Sequence, residues 1–225
     1  MPTLAEHLGA QNIAGRVPLR PGEPAAEFAL PALNRQGTVS LADYRGKSGL
    51  LLAIERGLYC PFCRRHITQL GATARSLKPL GVEVLAIVAT PPERAHSYLR
   101  YRPAPVPLAA DPRSETHRAY GLPKFAGTPE AMEKLTSTPI DPFRSLPAPR
   151  PLRELAEELS KTDPYEMTEA DANAWQSEQI QSTGQFLIDR DGIVRWRNVE
   201  GETDGVAGLS RFPGDEEILK IARGL

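Results

Sequence analysis

Cysteine is scarce in this chain, whose 225 residues include only Cys60 and Cys63. A disulfide-stapled mini-protein is therefore excluded, because such scaffolds rely on many cysteines in a short chain. Long apolar segments are also missing: the unbroken runs Leu50 to Ile54 and Val84 to Ala89 are far below the roughly 20 residues that cross a bilayer. Residues 1–16 lack the basic start and apolar core of a signal peptide. We therefore expect a cytoplasmic protein that does not bind a membrane.

Neither positive nor negative charge predominates in the chain. The chain has 27 lysines and arginines against 28 aspartates and glutamates, a formal net charge of −1. No global basic field exists to hold a phosphate backbone, so we expect no nucleic-acid partner. The hydrophobic content of 40% is enough for one well-filled globular domain, or for one domain with an insertion.

The order of apolar segments predicts an open α/β sheet. Leu50–Ile54 does not alternate with polar residues, which is typical of a central strand that is covered on both faces, and Val82–Ala89 is predicted to be a second central strand. The predicted strands are 27–30, 38–41, 50–54, 82–89, 106–109, 186–189 and 193–196, and the predicted helices are 61–78, 90–101, 111–121 and 215–223. Capping residues at Thr90 and Asp111 are expected to start two of these helices.

Residues 122–182 do not follow this alternation of strand and helix. Five prolines between Pro139 and Pro151 predict irregular loop, because proline removes a backbone donor and disfavours helix before it. A helical pattern then starts at Leu152, and a capped start follows at Asp163. We predict an N-terminal extension, 1–20, and one domain, 21–225, with a helical insertion, 122–182, that folds against the mouth of the site described next.

Cys60 and Cys63 form a C-x-x-C motif where the strand 50–54 gives way to the helix 61–78. Unpaired amides and the helix dipole stabilise a thiolate in the first turn of a helix, and Arg64 and Arg65 add positive charge nearby. The helical phase puts Cys63 on the buried apolar stripe and Cys60 at the helix mouth. We therefore expect Cys60 to be the accessible, attacking thiol and Cys63 to be shielded.

Two other interpretations of the cysteines remain open. His66 extends the motif to C-x-x-C-x-x-H, a partial zinc site, although three ligands on one helix cannot easily surround a metal. Two inert core cysteines are the second alternative. Redox chemistry is favoured over both, so we predict no metal site.

Charged neighbours supply further candidates. Glu55, at the end of the buried strand, is a candidate to carry the proton of Cys63, or else it is a solvated strand-end charge. Arg56 is a candidate partner of a thiolate, and its alternative is also a solvated side chain. His66 could favour a thiolate at Cys63, although histidines on helices are commonly surface residues.

Three segments together resemble the peroxiredoxin-like branch of the thioredoxin superfamily, the alkyl hydroperoxide reductase/thiol-specific antioxidant domain. They are Arg56-Gly57-Leu58-Tyr59-Cys60-Pro61-Phe62-Cys63-Arg64, Gly22 to Leu30 and Phe186 to Gly192. The resemblance implies a thioredoxin-like α/β fold, with a central mixed sheet flanked by helices. It also implies a redox function that requires no cofactor.

The chain departs from the family pattern at two places. The family motif P-x-x-x-T-x-x-C would put the peroxide-attacking cysteine at Cys63, the threonine at Cys60 and the proline at Arg56. Thr183 stands where thioredoxin-like proteins have a cis-proline and peroxiredoxins have an arginine, so Arg56 is the candidate replacement guanidinium. The resemblance makes Tyr59, Pro61, Phe62 and Thr183 the expected substrate-binding residues.

We expect thiol–disulfide oxidoreduction, in which Cys60 attacks a disulfide and Cys63 resolves the mixed disulfide. A cellular dithiol reductant of the thioredoxin or glutathione type would recycle the pair. The alternatives are a thiol peroxidase that reduces hydroperoxides and a non-enzymatic binding module. A homodimer is left open.

Overall fold

The computed structural model describes residues 2–142, 144, 146–169, 171–172 and 180–225. Its α-helices are α1 (Leu4–Leu8), α2 (Pro61–Leu77), α3 (Pro92–Leu99), α4 (Glu115–Ala119), α5 (Pro129–Ser137), α6 (Leu152–Thr162) and α7 (Asp215–Ala222). Its strands are β1 (Ala29–Pro31), β2 (Thr38–Ser40), β3 (Gly49–Glu55), β4 (Val82–Val88), β5 (Leu108–Ala110), β6 (Lys124–Phe125), β7 (Pro139–Ile140), β8 (Arg150–Pro151), β9 (Ile180–Gln181), β10 (Gly184–Ile188) and β11 (Val194–Val199).

A mixed five-stranded sheet with the order β11-β10-β3-β4-β5 forms the centre of the fold. The strand β3 runs parallel to β4 and antiparallel to β10, which pairs Leu52 with Leu85 on one side and with Phe186 on the other. All seven residues of β3 are buried, as the unbroken apolar run predicts. Two apolar clusters cover the two faces of the sheet, and the predicted central strands and final hairpin are confirmed.

Two helices start later than their capping motifs predict. The hydroxyl of Thr90 accepts a hydrogen bond of 2.8 Å from the amide of Leu58, and α3 begins two residues further on. The carboxylate of Asp111 accepts from the amide of Thr116 within α4, five residues away. Thr90 thus stabilises the loop before α2, whereas Asp111 bonds a first-turn amide of α4 from a position several residues before the helix.

The insertion carries α5 and α6, which contact each other, and a short antiparallel ribbon in which Pro139 pairs with Pro151. A capped helix at Asp163 is wrong, because Asp163 instead accepts a 2.7 Å hydrogen bond from Arg64 of α2. Helix is next seen at residues 169 and 171–172, where Thr168 bonds the amide of Asp171. Residues 170 and 173–179 of the predicted helical insertion lie outside the described residues.

A third apolar cluster joins the insertion to the cysteines. It contains Cys60 and Cys63, residues of α5 and α6, and Leu4 and Leu8 of α1. The described part of 122–182 therefore packs beside the C-x-x-C motif, whereas the division into an extension, 1–20, and a domain, 21–225, stays a prediction. Among the helices that can be described, none is both long enough and apolar enough to span a membrane.

Candidate active site

The C-x-x-C motif lies at the start of α2, directly after the buried strand β3. Cys60 occupies the N-cap position, Pro61 follows in the first turn, and both thiols are free. Proline suits this turn because its missing amide would have no partner there. The amide of Cys63 lies 3.3 Å from the sulfur of Cys60, so the first turn of the helix donates a hydrogen bond to that sulfur.

Cys60 is buried, with only 3% of its surface exposed, and the predicted accessibility of this thiol is wrong. Cys60 instead lines a cavity of about 60 Å³, which we call the Cys60 cavity. Its walls come from α2 and its approach, from the insertion, and from the segment after β11: Arg56, Tyr59, Cys60, Pro61, Phe62, Met132, Leu135, Leu152, Ala156, Ile180, Gln181 and Ser210. The insertion thus covers a thiol that the helical phase alone would leave open, while Cys63 is fully buried as predicted.

Arg56 lies beside Cys60. Its Nη1 atom is 3.8 Å from the sulfur, its Nε donates a 2.6 Å hydrogen bond to the carbonyl of Gln181, and its Nη2 pairs with Glu200. Only 12% of the arginine side chain is exposed, so the alternative of a solvated strand-end charge is wrong. A guanidinium held on three sides in this way is a fixed positive charge next to the thiol.

The surroundings shift the pKa values of the two thiols in opposite directions. Burial raises the pKa of Cys60, but hydrogen bonds from Cys63 and the charge of Arg56 outweigh it and lower this pKa to about 7. Burial raises the pKa of Cys63 well above its usual range, as do its hydrogen bond to Cys60 and the negative charges of Cys60 and Glu55. The site therefore favours the thiolate at Cys60 and the protonated thiol at Cys63.

Glu55 and His66 form a buried pair behind the cysteines. The Nδ1 atom of His66 lies 2.6 Å from Oε1 of Glu55, and neither side chain is more than 3% exposed. The imidazole stacks on the ring of Phe212, with 3.7 Å between ring centroids. A solvated Glu55 and a surface His66 are both wrong, because α2 packs this side of the histidine against the strand and the C-terminal segment.

Thr183 is buried and contributes its backbone instead of its side chain. Its amide donates a 3.1 Å hydrogen bond to Oε2 of Glu200, while Oε1 accepts from the amide of Ser210 at 2.7 Å. Thr183 is not among the residues that line the Cys60 cavity; its neighbours Ile180 and Gln181 are. The other expected substrate-binding residues, Tyr59, Pro61 and Phe62, do line it.

Sequence reasoning missed Glu200 and misplaced Arg64. Glu200 follows the last strand, far from the motif in sequence, and no local pattern marks a carboxylate there as the partner of Arg56. Arg64 was expected to add charge near the thiolate, but its guanidinium donates to Asp163 and to the carbonyl of Leu58. Within the described ranges, no group of three or more histidine, cysteine, aspartate or glutamate side chains is placed to hold a metal ion.

A free dithiol at the start of a helix, beside the centre of a mixed sheet, defines the class of thioredoxin-like proteins. Residues 21–146 match the AhpC/TSA family, and the chain belongs to that family. This membership supports a thiol-based redox function, either peroxidase or disulfide oxidoreductase. Comparison with curated proteins gave no significant match.

Solved structures of the same fold confirm the thioredoxin-like α/β architecture. A protein of Chlorobium tepidum assigned as the thiol:disulfide interchange protein DsbE is 22% identical, with a TM-score of 0.51 over 91% of this chain and 95% of that one. The reduced 2-Cys peroxiredoxin of Plasmodium vivax is 16% identical, with a TM-score of 0.56 over 91% and 81%. Peroxidoxin BcpB of Mycobacterium tuberculosis is 14% identical, with a TM-score of 0.55 over 92% and 98%.

Proposed function

We propose that the protein is a thiol-dependent oxidoreductase in which Cys60 attacks the substrate and Cys63 resolves the product as an intramolecular disulfide. The observation that carries this proposal is the position of the Cys60 sulfur, which lies 3.8 Å from the guanidinium of Arg56 and 3.3 Å from the amide of Cys63. Both contacts favour the thiolate at Cys60 and agree with the lowered pKa of Cys60 and the raised pKa of Cys63. Thiolate is the reactive species in both disulfide exchange and peroxide reduction. This assignment selects Cys60 over the family register, which would place the attacking sulfur at Cys63.

The burial of Cys60 favours a small oxidant. A folded protein cannot bring its disulfide to a cysteine that is 3% exposed and lines a cavity of about 60 Å³, whereas a hydroperoxide can enter. We therefore place hydroperoxide reduction ahead of exchange with protein disulfides, which the motif alone favours. The Cys60 thiolate takes one oxygen from ROOH to give a sulfenic acid, and the leaving alkoxide takes up a proton to give ROH.

Resolution and recycling complete the cycle. Cys63 loses its proton and attacks the Cys60 sulfur, hydroxide leaves, and a Cys60–Cys63 disulfide forms. Glu55 accepts the proton of Cys63, since it is the buried carboxylate whose charge acts on that thiol. A dithiol reductant then reduces the disulfide and is itself oxidised.

Exchange with low-molecular-weight disulfides is the second candidate. The position of Cys60 at the cap of α2 and the close spacing of Cys63 suit the mixed disulfide of that reaction. The interchange activity assigned to the Chlorobium tepidum protein of the same fold supports this candidate. A binding module that has no redox role is the remaining alternative.

Single cysteine variants test the proposal. Reduced wild-type protein should consume hydrogen peroxide in the presence of dithiothreitol, and Cys60→Ser should abolish this consumption. Cys63→Ser should accumulate a sulfenic acid on Cys60 that dimedone labels and mass spectrometry locates. Sulfenylation of Cys63 in the Cys60→Ser variant at the wild-type rate would reverse the roles of the two cysteines. Partner binding that survives replacement of both cysteines, without any redox turnover, would favour the binding module.

A further inference from the structure

A second cavity lies behind the cysteines. It has no role in the proposed reaction as described so far. This cavity has a volume of about 350 Å³ and lies between α2, the segment around Pro142 and the segment that leads into α7. His66, Thr73, Phe212 and Asp215 are among the residues that line it, and we call it the His66 cavity. Among the described residues, none lines both this cavity and the Cys60 cavity.

The proposed reaction requires proton movement at a buried site. Oxidation of the thiolate–thiol pair by ROOH yields the disulfide, ROH and hydroxide, and the hydroxide takes up one proton to become water. Reduction of the disulfide by a dithiol restores the thiolate and the thiol and releases one proton. The site therefore takes up one proton and gives up one proton in every turnover, although Cys63 and Glu55 are fully buried.

Glu55 and His66 connect the buried thiol to the His66 cavity. Oε1 of the carboxylate contacts Nδ1 of the imidazole at 2.6 Å, and the other oxygen has no hydrogen-bond partner among the described residues. That second oxygen is buried and belongs to the group whose charge acts on both thiols. The imidazole has two nitrogens, so a proton taken up at one is matched by a proton released from the other.

We infer that Glu55 and His66 form a proton relay, in which His66 carries protons between Glu55 and the His66 cavity while the substrate uses the Cys60 cavity. This inference rests on the proposed function and adds a separate path for protons. His66 does not touch the substrate; it is a positioning and proton-transferring residue that acts through Glu55. The ring of His66 stacks on Phe212, which also lines the His66 cavity, and this stacking restricts the orientation of the imidazole.

Charged groups surround the outer end of this path. Arg144, Arg211, Asp215 and Glu217 line the His66 cavity, and of these Arg211 pairs with Asp204, and Asp215 accepts from the hydroxyl of Thr73. Charges of both signs at the opening suit a path that protons must take in both directions. On its inner side the imidazole faces Glu55.

Two replacements of His66 separate proton transfer from a merely structural role. His66→Asn keeps an N–H donor where Nδ1 bonds Glu55 but cannot pass a proton onward, and His66→Ala leaves a hole that opens to the His66 cavity. Disulfide formation is followed by stopped flow after reduced protein is mixed with one equivalent of hydrogen peroxide. His96→Ala, an exposed histidine on α3, is the matched control.

We expect both His66 variants to form the disulfide at least about tenfold more slowly than wild type, in line with the usual contribution of acid–base groups. Added imidazole should restore the rate of His66→Ala in proportion to its concentration, and it should not accelerate wild type or His96→Ala. A wild-type rate in His66→Asn, or no rescue of a folded His66→Ala, would overturn the relay. If His66→Ala does not fold, the rate of His66→Asn decides. Wild-type protein that reacts with neither peroxides nor disulfides would instead overturn the proposed function.

Discussion

The guanidinium of Arg56 lies 3.8 Å from the sulfur of Cys60 and is held there by Glu200, a residue 144 positions further along the chain. Glu200 is itself fixed by the amides of Thr183 and Ser210. The attacking thiol, its cationic neighbour and the support of that neighbour thus come from the N-cap of α2, from the residue after β3 and from the residue after β11. The reactivity of Cys60 depends on this arrangement as much as on the motif.

The first prediction concerns the titration of Cys60. Its alkylation by iodoacetamide should rise with pH around a midpoint of about 7 in wild type, because the thiolate reacts and the thiol does not. The double variant Arg56→Met/Glu200→Gln removes the positive charge without leaving a buried carboxylate unpaired, so its midpoint should move to higher pH. The midpoint is read from the rate against pH, with Arg100→Met, an exposed arginine, as the control. An unchanged midpoint in the double variant would mean that Arg56 does not support the thiolate.

The second prediction concerns the stability of the Arg56–Glu200 pair. Glu200→Gln leaves a nearly buried guanidinium without its counter-charge, and breaking a buried pair in this way costs about 3–5 kcal/mol. Urea unfolding should show this loss in the free energy of unfolding. Glu158→Gln, which removes one partner of the exposed Arg150, should leave stability unchanged. Equal losses in the free energy of unfolding for the two substitutions would show that the buried pair stabilises the fold no more than the exposed pair does.

The third prediction is that the insertion limits the size of the substrate. Ala156→Phe on α6 fills part of the Cys60 cavity, so it should slow the reduction of cumene hydroperoxide more than that of hydrogen peroxide. Leu135→Ala on α5 should widen the cavity and change the ratio of the two rates in the opposite direction. The control is Glu157→Phe, an exposed position on the same helix. The idea fails if the ratio of the two rates is the same in all four proteins.

The fourth prediction is a pH-dependent loss of stability through His117. Burial lowers the pKa of this fully buried imidazole from about 6.5 to about 4, so the fold favours its neutral form. Stability from this preference is complete above pH 6.5 and is lost as pH falls toward 4, by about 3 kcal/mol in total. The difference in unfolding free energy between wild type and His117→Leu should change by this amount across that range. A constant difference would show that His117 is not the group that titrates.

Local sequence patterns were sufficient to predict the strand and the helix that position the two cysteines. The unbroken apolar run before the motif predicts the buried strand β3, and the helical spacing of Ile67 and Leu70 after Pro61 predicts α2. The junction between them fixes where the thiols lie, because the apolar run places β3 inside the sheet and the apolar face of α2 packs on that sheet. The motif and its position could therefore be read before the structure was known.

Contacts between distant segments decided what the patterns could not. The exposure of Cys60 depends on Leu135, Leu152 and other residues more than 70 positions downstream, whose helices fold back over the thiol. The sequence around Asp163 is typical of a helix N-cap. In the structure its carboxylate instead pairs with the buried guanidinium of Arg64. Neither outcome is encoded within a window of one helix or one strand.

The ribbon of β7 and β8 contains two of the five prolines between Pro139 and Pro151. Each strand has two residues, and one of the two is proline, so half of the amide donors that a strand would normally present are missing. An incoming strand from another molecule would find too few donors to extend this small sheet by edge pairing. The protein thus has protection against aggregation in the part of the insertion that connects the two helices covering the Cys60 cavity.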